Sequence, residues 1–121
     1  MKKNTVLAVD DTPEVLQCID TILQDNFDVR LAVNADSAQE VLKTTPVDLI
    51  LLDVEMPGMS GLALLEKLQK NEAYKKIPVV FITSNMDDKI VKTAIKKGAK
   101  GYIVKPFTSE VLLESVKFFC M

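Results

Sequence analysis

At 121 residues, with 48% apolar and 26% charged side chains, the chain has the size and composition of one soluble domain over residues 1–121. A chain of this length buries roughly two-thirds of its unfolded surface. Fifteen Lys and Arg against seventeen Asp and Glu give a net charge of −2, which argues against a global field for polyanions and against nucleic-acid binding by this domain. There is no histidine, and Cys18 and Cys120 lack CxxC spacing, so neither a zinc site nor a disulfide framework is indicated and a reducing, cytoplasmic setting is expected. No apolar run approaches the roughly 20 residues of a membrane span, and Met1-Lys2-Lys3 leads to no signal cleavage site.

Thr5 to Val9 reads as a continuously apolar strand closed by Asp10-Asp11. Thr12 or Asp11 is then placed to cap a helix from Pro13 to Gln24, where the missing N–H of Pro13 costs nothing. Val15, Leu16, Ile19, Ile22 and Leu23 recur there at helical spacing as a core-facing stripe, with Cys18 expected as a small buried hydrophobe. A strand from Val29 to Val33 precedes a helix from Ser37 to Lys43; a strand from Leu49 to Leu52 ends in Asp53 and leads through Pro57-Gly58 to a helix from Leu62 to Asn71. Val79 to Thr83 forms the fourth strand, Asp88 to Lys97 a helix, Tyr102 to Val104 the fifth strand and Glu110 to Phe119 the last helix. Continuous apolar runs imply strands buried on both faces, and their alternation with helices implies right-handed crossovers. The expected fold is α/β: a five-stranded parallel sheet with helices on both faces, the flavodoxin-like doubly wound (βα)5 arrangement.

Four strands end in polar groups: Asp10-Asp11, Asp53, Thr83-Ser84 and Lys105. In a parallel sheet these ends share the edge where open α/β folds bind ligands. Singly, each has an ordinary reading: the acidic pair and Thr83 as helix caps, Asp53 as a turn residue, Lys105 as a solvated lysine. Together they bring three carboxylates, a hydroxyl and an ammonium to one crevice. Such carboxylates raise one another's pKa unless a cation is present. With oxygen ligands alone, Mg²⁺ is favoured, and Mn²⁺ can substitute. A phosphoryl group suits the remaining parts, since Lys105 can neutralise its oxygens and Thr83 can donate a hydrogen bond.

With these residues in register, the chain resembles, over essentially its whole length, the receiver domain of two-component response regulators. Asp10-Asp11 is similar to the family's acidic pair, and Asp53-Val54-Glu55-Met56-Pro57-Gly58-Met59-Ser60-Gly61 to its phosphoacceptor loop. Thr83 falls at the switch hydroxyl, Tyr102 at the switch aromatic, Lys105-Pro106-Phe107 at the lysine motif, and Gly98-Ala99 also agrees. The resemblance implies phosphorylation of Asp53 by a phosphohistidine on a sensor histidine kinase or histidine phosphotransfer protein. It implies Mg²⁺ held by Asp11, Asp53, the backbone carbonyl of Glu55 and, directly or through water, Asp10. It implies a cis Lys105–Pro106 bond, a movement of Thr83 toward the phosphoryl group and an inward turn of Tyr102. The implied output face is the fourth helix, fifth strand and fifth helix, open to a downstream effector or to a second copy in a homodimer. No external substrate is implied, so the domain is a signalling module that catalyses its own phosphorylation and dephosphorylation.

On the fourth helix, Lys89, Lys92 and Lys96 recur at helical spacing as a solvated face or a surface for an acidic partner, while Asp87 and Asp88 suit a helix N-terminus. Leu112, Leu113, Val116, Phe118 and Phe119 exceed one apolar stripe, and Phe118 or Leu113 is expected at a dimer or partner surface. Glu55, two residues after Asp53, is placed to order water, to shift metal affinity or to face solvent, and Asn85, two residues after Thr83, falls where the resemblance implies that the lifetime of the phosphoryl group is tuned. Three rival functions are weaker. A Mg²⁺-dependent phosphohydrolase usually needs a second aspartate close after the nucleophile, where Val54 and Glu55 stand. A pseudo-receiver would not need the intact acidic group, and an FMN carrier would have its phosphate repelled by Asp10-Asp11. The chain is compatible with a stand-alone regulator or a receiver excised from a longer one.

Overall fold

The computed structural model describes residues 3–84 and 88–120; Asn85 and Asp87, on which expectations were placed, lie outside them. Three apolar runs form strands in which every residue is buried: β1 (Thr5–Val9), β3 (Leu49–Asp53) and β4 (Val79–Thr83). These fill the interior of one sheet. Its edges are β2 (Asp28–Ala32) and β5 (Gly101–Val104), in the order β2-β1-β3-β4-β5 with every pair parallel. The edges differ in composition for that reason. β2 carries the Asp28–Arg30 ion pair, and β5 exposes Tyr102.

Parallel pairing requires crossovers, supplied by α1 (Pro13–Leu23), α2 (Ala35–Thr44), α3 (Gly61–Gln69), α4 (Asp88–Lys96) and α5 (Ser109–Phe119). Alternate strand residues divide the core in two. Leu7, Ile50, Leu52 and Phe81 pack against α2, α3 and α4, while Val6, Ala8, Leu49, Leu51 and Ile82 pack against α1 and α5. Each such buried Leu or Ile contributes roughly 1.5–3 kcal/mol. The expected doubly wound architecture is the one found. No helix among the described residues is long and apolar enough to cross a membrane.

Local expectations needed correction. Cys18 is exposed rather than buried, because the buried stripe of α1 is Leu16, Ile19 and Leu23 and the residue two after Leu16 points away from it. Val15 and Ile22 are half-buried at its margins. β2 lies one residue earlier than Val29–Val33: Asp28 pairs with Thr5, and Val33 falls beyond the strand, 46% exposed. α2 begins at Ala35, two residues before Ser37, because the Asn34 side chain caps it by accepting from Ser37 N at 2.8 Å. Thr12 takes the N-cap position of α1 without a side-chain cap bond, and Asp11 is exposed; Asp10 Oδ1 instead accepts from Thr12 N at 2.9 Å.

Candidate phosphoryl-acceptor site

Parallel register brings the polar strand ends together. Val9 pairs with Leu52, Asp53 with Ile82 and Thr83 with Val104, so Asp10, Asp53, Thr83 and Lys105 gather at the carboxyl edge of β1, β3, β4 and β5. A bond from Lys105 N to Thr83 O at 2.8 Å carries the β4–β5 pairing one residue past the strand. The Lys105–Pro106 peptide is cis. Asp10, Asp53 and Thr83 are buried, while Asp11 and Glu55 are exposed. Carboxylate oxygens of Asp10, Asp11 and Asp53 lie within 4.8 Å of one another.

The charges are incompletely balanced. Lys105 Nζ is 2.6 Å from Asp10 Oδ2 and 3.6 Å from Asp53 Oδ1, so its ammonium pairs with two of the three clustered carboxylates. Glu55 N donates to Asp53 Oδ1 at 3.3 Å. Burial pushes the Asp53 carboxyl from its ordinary 3.8 up to about 6. The Asp10 charge pushes in the same direction, Lys105 and the Glu55 N–H pull it back, and Asp11 adds a smaller push. A cation would relieve this excess. The donors are all hard oxygens with neither His nor Cys among them, which fits a divalent cation of the Mg²⁺ class.

The structure joins Asp10, Asp11, Asp53 and Lys105 as the sequence pattern anticipated, and the side chain of Glu55 stands outside the carboxylate cluster. Thr83 and Tyr102 share a small apolar gap of about 10 Å³ beneath α4, lined also by Phe81, Ile90 and Ala94, with Tyr102 45% exposed at its rim. Two features were less legible. A Cβ on Gly61 would fall onto the Asp53 carbonyl oxygen and within 2.9 Å of its carbon, so α3 can start against the Asp53 backbone only with glycine there. Its N–H also donates to Val54 O at 2.9 Å. Gly61 stands in the quoted loop, but no spacing rule gives this contact. The second feature is a groove of about 450 Å³ beside Lys105, lined by Val15, Cys18, Pro106 and Phe107. The i, i+3 spacing of Val15 and Cys18 on α1 was its available signal.

This geometry coincides with a family. The chain belongs to the response regulator receiver domains, whose sequence model matches residues 6–117. It is 36% identical over 115 residues to the nitrate/nitrite response regulator protein NarL of Escherichia coli K12, covering 93% of this chain and 52% of that protein; the chain thus spans about half the length of that relative. To the chemotaxis protein CheY-3 of Vibrio cholerae it is 33% identical over 117 residues, covering 95% of this chain and 90% of that one. The solved structure of Vibrio cholerae CheY4 superposes with a TM-score of 0.92 at 30% identity, covering 97% of this chain and 98% of the other.

Proposed function

We propose that this chain is a single receiver domain, working in the cytoplasm, that takes a phosphoryl group from a phosphohistidine of a sensor kinase or phosphotransfer protein onto Asp53. The observation that carries this reading is the buried Asp53 carboxylate, 3.6 Å from the Lys105 ammonium and clustered with Asp10 and Asp11. In the transfer, a carboxylate oxygen of Asp53 attacks phosphorus. The P–N bond breaks, its electron pair stays on the imidazole nitrogen, and that nitrogen takes a proton from solvent. An ionised carboxylate needs no general base, so a chain without histidine loses nothing. Asp11, Asp53, Asp10 and the backbone carbonyl of Glu55 would hold Mg²⁺, which when bound supplies charge neutralisation for the carboxylates and the transferring group. Lys105, held at the crevice by Asp10, neutralises phosphoryl oxygens, and the Thr83 hydroxyl donates to one of them.

The signal leaves through packing. The new charge and acceptors draw Thr83 toward the site, and Tyr102 turns into the space beneath α4. A gap of about 10 Å³ holds roughly one water and not a phenol ring, so the turn requires Thr83 and α4 to yield together. The face of α4, β5 and α5 then changes its affinity for an effector or for a second copy; Phe118 on α5, 66% exposed, supports a contact there, while Leu113 is half-buried against the core.

Phosphoramidate, a small donor with a P–N bond, tests the reading. Intact mass should show one phosphoryl group gained in Mg²⁺ and none with the metal chelated. An unchanged mass in both, under conditions that load a control receiver, would overturn it.

A further inference from the structure

Strand β2 closes the sheet at the edge opposite β5, and one side of it has no partner strand. Asp28 N donates to Asn4 O, and Ala32 O accepts from Asp10 N, so the backbone groups of Asp28, Arg30 and Ala32 face β1. Those of Val29 and Leu31 point outward. Exposed edges are ordinarily blunted by a proline, a bulge or a charge that repels an incoming strand. β2 contains no proline, and its register with β1 runs without a bulge. Its two charges have opposite signs. Asp28 and Arg30 lie two residues apart on one face and pair with each other at 3.2 Å. Phe27, Val29 and Leu31 follow the other face. Leu31 is 39% exposed and Val33 46%; among the described residues they are the large exposed apolar side chains outside α4, β5 and α5.

Such a strand complements itself in one register. A two-fold axis through the edge makes the strands antiparallel and sets residues of equal hydrogen-bonding direction opposite one another. Centred on Arg30, it opposes two guanidinium groups; centred on Asp28, it opposes two carboxylates. Centred on Leu31 or Ala32, it leaves Arg30 with no carboxylate directly opposite. Centred on Val29, it satisfies both faces and the backbone. The outward N–H and C=O of Val29 then exchange bonds across the axis. Asp28 faces Arg30 of the other copy, twice by symmetry, and Leu31 is covered by Phe27.

We infer that a second copy of this chain pairs with β2 in the register centred on Val29, joining two sheets into one. A strand of another protein would also fill the backbone groups, but the match of charge and apolar rows lies within this chain. The contact is small, and it joins the halves that carry eleven acidic side chains against four Lys and Arg in residues 1–60. It is therefore a weak, reversible dimer, with a dissociation constant on the order of 0.1 mM. It leaves α4, β5 and α5 open on both copies, because β5 is the opposite edge. The pairing does not depend on the receiver reading and is indifferent to modification of Asp53.

Sedimentation equilibrium of the full chain from about 10 μM to about 1 mM, with amide shifts followed over the same range, tests it. A monomer–dimer equilibrium should appear, with concentration-dependent shifts in β2. Asp28→Arg and Arg30→Asp each oppose like charges twice and should weaken the dimer about tenfold. An equimolar mixture of these two variants, and the double variant Asp28→Arg, Arg30→Asp, should each pair as tightly as the natural chain. An unaltered pattern of core amide resonances shows that the variants fold, since an exposed ion pair contributes little to stability. Asp53→Ala should dimerise like the natural chain. A monomer at about 1 mM, shifts centred on α4, β5 and α5, single variants that dimerise normally, a mixture that pairs no better than its components, or a dimer lost in Asp53→Ala would each overturn the inference. Phosphoryl uptake, measured separately, bears on the receiver reading alone.

Discussion

The crevice at the carboxyl ends of β1 and β3 and the seam between α4 and β5 belong to the same sheet and are built by opposite means. In the crevice, Asp10 and Asp53 are buried and tied to Lys105, Thr12 N and Glu55 N, so each has a fixed partner. At the seam, Tyr102 is 45% exposed above a gap of about 10 Å³, and Ile95 is 47% exposed beside it. Chemistry that depends on placement to a fraction of an ångström is housed where backbone and ion pairs leave no alternative. On the proposed reading, response is housed where packing is incomplete and two arrangements can differ by little.

The contrast is broken most severely at Gly61. Gly61→Ala puts a Cβ onto the Asp53 backbone, and we expect a loss of about 3 kcal/mol in denaturant unfolding together with impaired phosphoryl uptake. A loss below about 0.5 kcal/mol would mean that the crevice backbone is softer than described. Next comes Lys105→Ala, which removes the crevice's ammonium; uptake from acetyl phosphate should slow roughly 10- to 100-fold with the fold intact, measured by intact mass against time.

The electrostatic imbalance gives a smaller effect with a defined sign. In metal-free protein the folded state holds the Asp53 proton up to about 6, against 3.8 ordinarily. The resulting destabilisation is absent below the lower value and fully developed above the upper one, so this group's contribution falls as pH rises between them. Asp53→Asn should therefore stabilise the chelated protein at pH 7 by about 1–3 kcal/mol, with the gain shrinking toward pH 4. Destabilisation at pH 7 would show that the pull of Lys105 outweighs burial. At the other extreme, Phe118→Ser on α5 should change stability by no more than about 0.5 kcal/mol. A larger loss would mean that Phe118 belongs to the core.

Much of this contrast was legible in the sequence. Continuous apolar runs gave β1, β3 and β4, and the polar residue closing each run located the crevice, because a parallel sheet aligns strand ends whatever the loops do. Edge strand β2 was misplaced by one residue, since Asp28 and Arg30 interrupt the apolar signal where only one partner strand constrains register. Cys18 was misjudged because composition makes cysteine look like core, whereas position around α1 decides. The Asp10–Lys105 pairing and the Gly61 approach span 95 and 8 residues and depend on how elements dock. Exposure at the seam was harder still. Tyr102 sits in an apolar run and is set apart only by β5 being an edge.

The most direct measurement is intact mass after incubation with acetyl phosphate, for the natural chain and for Asp53→Ala, each with Mg²⁺ and with the metal chelated. The account predicts a gain of one phosphoryl group in the natural chain with Mg²⁺ alone. A gain that persists in Asp53→Ala, or one indifferent to the metal, would contradict it.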